Sequence, residues 1–79
     1  TEERRKEFVK RAKAEGEHAK VSIRNARKEA NDFIKGLEND GLSEDLARDA
    51  EGRIQKLTDN YNDKVDSMVD AKEKDIMTV

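Results

Sequence analysis

The sequence predicts an all-α protein: a long antiparallel helical hairpin with helices over about 2–39 and 44–77. Three observations predict it. Apolar or small residues recur three or four apart through the first half of the chain, no proline interrupts either half, and one strong turn signal, Asn39-Asp40-Gly41, stands between them. A second helix with a stripe too broad for one neighbour completes the pattern. The hairpin is therefore expected to be an incomplete three-helix bundle, in need of a third helix or of self-association.

In the first helix, Thr1 is the N-cap, and Glu2 and Glu3 set carboxylates against the positive end of the helix dipole. Val9, Ala12, Gly16, Ala19, Ile23, Ala26, Ala30, Phe33 and Leu37 then form a heptad-like seam about four heptads long. At about 1.5 Å per residue such a helix is roughly 55 Å long. Its middle is built of small residues, which implies close approach to a neighbour, while Phe33 and Leu37 fill a wider gap near the end. Gly16 lies on the seam and has a packing reason to be there; Gly36 and Gly52 have none, though each costs a helix about 1 kcal/mol relative to alanine.

Gly41 suits the left-handed residue that closes a helix. Ser43 restarts the chain as an N-cap, Glu44 and Asp45 follow in the first turn, and Leu42 with Ala47 forms a weak hydrophobic staple. So short a turn makes the helices antiparallel neighbours. The second helix carries Leu46, Ala50, Ile54, Leu57, Tyr61, Val65, Met68, Val69 and Ile76. Pairs at i and i+4 lace the exposed faces: Glu7 with Arg11, Glu44 with Arg48, Asp49 with Arg53 and Asp70 with Lys74. Each contributes only a few tenths of a kcal/mol.

Seventy-nine residues make one small domain, and a domain of that size depends on near-ideal packing, oligomerisation or a covalent staple. No cysteine is present, which removes disulfides, thiolate metal sites and thiol nucleophiles and fits a reducing compartment. Charged residues supply 46% of the chain and apolar ones 33%, a balance close to that of disordered chains were it not for the periodicity. No apolar run reaches the length of a membrane span and no signal-peptide pattern opens the chain, so it reads as soluble and cytoplasmic, with no membrane partner. A start at Thr1 rather than methionine leads us to expect an upstream segment.

Catalytic material is sparse. His18 is the one histidine and reads as a solvated residue; the carboxylates follow charge-pair spacing rather than a ligand pattern, and there is no Gly-rich phosphate loop or nucleophile elbow. The sequence points away from an enzyme and calls for no cofactor or metal. Charge is more informative. From Arg4 to Lys28 ten bases face three acids, a balance of +7, whereas residues 41–79 hold six bases and ten acids, a balance of −4. One half suits a polyanion.

Within that half, Lys20, Arg24, Arg27 and Asn31 line one flank of the helix at spacings of four, three and four, beside Ile23, Ala26 and Ala30. Lys6, Lys13, Lys20 and Arg27 repeat one heptad apart. Spacing alone favours a structural reading, in which these bases pair with acids of the neighbouring helix. The competing reading is a phosphate-binding edge: acids that could answer the row within its own helix are few, and arginine makes bidentate phosphate contacts. Without interleaved aromatics, such an edge suits folded RNA better than single strands.

The residues also carry a resemblance. Thr1-Glu-Glu-Arg-Arg-Lys6, Val21-Ser-Ile-Arg-Asn-Ala-Arg-Lys-Glu-Ala-Asn-Asp32, Leu42-Ser-Glu-Asp45, Gln55-Lys-Leu-Thr-Asp59 and Lys72-Glu-Lys-Asp-Ile-Met77 resemble the C-terminal part of bacterial ribosome recycling factors, over the whole chain. The resemblance implies the second and third helices of a three-helix-bundle domain, with the N-terminal helix and an inserted β-domain absent from these 79 residues. It implies a translation factor that binds ribosomal RNA of the large subunit and, with elongation factor G, disassembles post-termination ribosomes. By position, Arg27 matches the arginine central to that RNA contact and Arg24 another arginine of the same surface. Asn31 matches a motif position of unspecified role, and Lys20 joins the site through its place in the row. The alternative is a structural hairpin or coiled-coil oligomerisation module without RNA binding.

Overall fold

A computed structural model describes residues 1–78 as two helices, α1 over Glu2–Asn39 and α2 over Glu44–Met77. Both bounds are those the capping chemistry predicts. The Thr1 hydroxyl accepts a hydrogen bond from the Arg4 amide at 3.3 Å, and the Ser43 hydroxyl accepts one from the Leu46 amide at 3.2 Å. Each satisfies an amide that the first turn leaves without a partner.

Between the helices the chain makes a Schellman turn. The Leu42 amide donates to the Leu37 carbonyl at 2.9 Å and the Gly41 amide to the Glu38 carbonyl at 3.1 Å, with Gly41 at φ 114°, the one residue described with positive φ. Below the staple, Ala47 is 2% exposed. The result is a thin plate, 61 × 15 × 7 Å across its Cα atoms.

Its interior is scant. Gly16, Ile34, Ala47 and Thr58 are the buried residues of the two helices, and no large side chain among those described is fully enclosed. Gly16 does what its seam position predicts: a Cβ there would lie 2.6 Å from Cγ2 of Val69, so the Val69 side chain of α2 packs directly on this glycine. At Gly36 and Gly52 a Cβ would meet nothing within 4 Å. Thr58 is a polar residue in the seam that satisfies itself, its hydroxyl donating to the Ile54 carbonyl at 2.8 Å.

The seam proposed from spacing divides into two sets. Val9, Gly16, Ile23 and Ala30 are buried or half-buried, whereas Phe33, of the set that continues Ala12, Ala19 and Ala26, is 68% exposed and Leu37 is 40% exposed. Phe33 and Leu37 thus do not fill the end of the pair; Ile34, 6% exposed, does. For Phe33 the cause is geometric: heptad spacing yields two apolar lines about 50° apart, Phe33 lies on the second, and a single neighbour covers the first more completely.

The uncovered line joins Leu57, Tyr61 and Met68 of α2, 53–72% exposed, in an open apolar groove along one face of the plate. Of the expected i, i+4 pairs, Glu44 with Arg48 and Asp49 with Arg53 close at 3.2 Å, while Glu7 with Arg11 and Asp70 with Lys74 do not form.

Candidate nucleic-acid interface

The heptad row on α1 begins with Lys6, Lys13, Lys20 and Arg27, and its next member is Ile34, a buried side chain. Basic row and helix contact are therefore one line. Its charged members reach across the edge of the plate toward α2 while their aliphatic stems cover the seam.

Two of them meet carboxylates. Lys13 pairs with Glu73 at 3.8 Å and Lys20 with Asp66 at 2.5 Å. Lys20 is the more enclosed, its side chain 27% exposed, and its pKa is raised above the ordinary lysine value, chiefly by the hydrogen bond to Asp66; burial opposes this as the next largest effect, and the charges of Asp66, Glu17 and Asp63 add smaller increments. For these lysines the interhelical reading of the row describes what the structure contains.

Arg27 differs. Its Nη1 donates to Oε1 of Gln55 at 3.4 Å, and Gln55 Nε2 donates to Oδ1 of Asp59 at 3.0 Å. A guanidinium only donates and a carboxylate only accepts, so the amide between them has one workable orientation. Arg27 has a neutral partner and, among the described residues, no ion pair. Arg24 is exposed and has neither a hydrogen-bond nor an ion-pair partner among them. The two arginines thus present uncompensated charge near the middle of the edge.

Asn31 stands one helical turn beyond Arg27. It is half-buried at the seam, and its Oδ1 is enclosed without a hydrogen-bond partner, as is Oδ1 of Asn62. Sequence reasoning gave no site role to Gln55, Asp59, Asp66 or Glu73, although Gln55, Asp59 and Glu73 lie in segments that carry the family resemblance. Counting outward from the turn would have found them: 13, 20 and 27 on α1 stand opposite 73, 66 and 59 on α2, each step one heptad. His18 is exposed, and among the described residues no three His, Asp or Glu side chains are grouped to hold a metal ion. None of the described helices is long and apolar enough to cross a membrane.

Fold and edge define a class: elongated α-hairpins that display cations along one helix border and an apolar groove on one face. Comparison with known sequences narrows this. The family profile described as "Ribosome recycling factor" matches residues 1–77. Ribosome-recycling factors of Bacteroides fragilis, Flavobacterium johnsoniae and Campylobacter jejuni are 53%, 52% and 55% identical to it over 79 to 80 residues, covering all of this chain and 42–43% of each relative. The chain belongs to the ribosome recycling factor family, whose work is protein biosynthesis. It spans about two fifths of the length of the curated relatives it matches.

Proposed function

We propose that this chain is the ribosome-docking part of a factor that binds the large ribosomal subunit through its RNA and, together with elongation factor G and the GTP hydrolysis of that factor, disassembles post-termination ribosomes in the cytoplasm. The observation that carries the proposal is the pair of arginines without carboxylate partners on an edge where Lys13 and Lys20 have them. Phosphate neutralises such cations at little desolvation cost, and arginine adds bidentate geometry. Lys20 contributes a shared charge and Asn31 a supporting position behind the arginines. In the whole protein the groove takes a third helix, for which its apolar length is suited.

Arg24→Ala with Arg27→Ala in the full-length protein tests this by co-sedimentation with large subunits. Binding is expected to be lost, with helicity unchanged and the slope of log affinity against log salt reduced by about one to two. Undiminished binding overturns the proposal. The Lys13–Glu73 and Lys20–Asp66 pairs favour a second reading, a hairpin whose bases serve helix assembly. On that reading ribosome affinity is absent, and base substitutions change the oligomeric state instead.

A further inference from the structure

Three rungs cross the edge of the plate in the same register. Lys13 faces Glu73 and Lys20 faces Asp66, and the same heptad step along each helix makes Asp59 the register partner of Arg27. The first two rungs are ion pairs. In the third, Asp59 accepts from the Gln55 amide instead, and Gln55 turns its carbonyl oxygen toward Arg27. Had the rung closed like the others, the guanidinium would carry a carboxylate of its own.

We infer that Gln55 is a positioning residue: by holding Asp59 with one end of its amide and orienting Arg27 with the other, it keeps Arg27 un-neutralised and aimed outward for an RNA phosphate. The inference rests on the RNA-binding reading of Arg27. Its physics is competition. A carboxylate one rung away competes with every phosphate oxygen that approaches the guanidinium, and an ion pair must be broken before the phosphate can bind. The neutral amide oxygen is a weaker acceptor, so the phosphate displaces it readily. Fixing the amide also fixes the arginine, because a flipped Gln55 would set Nε2 against Nη1, donor against donor. Gln55 thus insulates Arg27 from the charge pairing that absorbs Lys13 and Lys20.

The full-length protein carrying Gln55→Ala, Asp59→Asn, both, or Arg27→Ala is titrated against purified large ribosomal subunits at fixed salt. Gln55→Ala leaves Asp59 free to capture Arg27 and is expected to weaken binding about two- to fivefold, the size of an exposed ion pair expressed as an affinity ratio. In the Asp59→Asn background the same substitution should have no effect, since the competitor is gone. Asp63→Asn, one turn further along α2, controls for general loss of negative charge and should not rescue. Gln55 is exposed and alanine favours helix, so circular dichroism should not change.

A Gln55→Ala effect that persists without Asp59, or no effect at all while Arg27→Ala weakens binding, overturns the insulation and leaves the RNA reading standing. Unchanged binding by Arg27→Ala overturns both.

Discussion

Gly16→Ala and Gly36→Ala are the same chemical change on one helix, and the structure predicts opposite outcomes. At Gly36 the new methyl meets nothing within 4 Å, so the variant keeps the full helix-propensity gain, about 1 kcal/mol. At Gly16 it lands 2.6 Å from Cγ2 of Val69 and 3.6 Å from Cγ1 of Val65. Ordinary carbon contacts lie at about 3.5–4.0 Å, so roughly 1 Å of overlap must be relieved. Valine has one strongly preferred rotamer in a helix, so Val69 cannot simply turn aside, and the helices must separate instead. Overpacking of this kind costs about 1–3 kcal/mol. Set against the same propensity gain, Gly16→Ala is expected to fall about 1–3 kcal/mol below Gly36→Ala. Urea denaturation followed by circular dichroism, at matched concentration, measures the gap. Equal stabilisation by the two substitutions would refute the claim that Val69 packs directly on Gly16.

Two further predictions concern polar contacts. Ser43→Ala removes the hydroxyl that caps α2 and should lower stability by about 1 kcal/mol, read from the urea midpoint; an unchanged midpoint would mean that water serves the Leu46 amide equally well. The Lys20–Asp66 pair makes a contribution that depends on alkaline pH. Because the folded-state pKa of Lys20 is raised, its share of stability is fully present below the ordinary lysine pKa and is lost as pH climbs through the raised value. The stability gap between the parent chain and Lys20→Met should therefore narrow in the alkaline range and stay constant between pH 6 and pH 8, in urea titrations at each pH.

Local chemistry made the helix bounds legible. Thr1, Gly41 and Ser43 each act within five residues of themselves, and no distant contact is needed to interpret them. Packing was less legible, since spacing fixes the angles between side chains around a helix without saying which line the neighbour covers. Hence Ile34 was overlooked in favour of Phe33 and Leu37. Thr58 escaped notice because a hydroxyl bonded to its own helix can be buried, which hydropathy does not register. At the candidate site the arginines were visible as charge and as motif, whereas Gln55 stood in a motif without a visible role: it is neutral, lies on the other helix, and matters only through register.

The single turn has a consequence for order in time. Joined at one end, the helices close over chain separations that grow away from the turn, from 28 residues between Arg27 and Gln55 to 46 at Lys20–Asp66 and 60 at Lys13–Glu73. Each doubling of a closed loop adds about 0.6 kcal/mol of entropy cost. Pairing accordingly starts beside Gly41 and spreads outward, and opening runs the other way, beginning at the chain ends where Phe8 and Met77 are exposed. Of the three rungs, the one that holds Arg27 is the first to assemble and the last to come apart. Arg27 is thereby seated in the more persistent stretch of the molecule, and fraying at the far end can proceed without disturbing it.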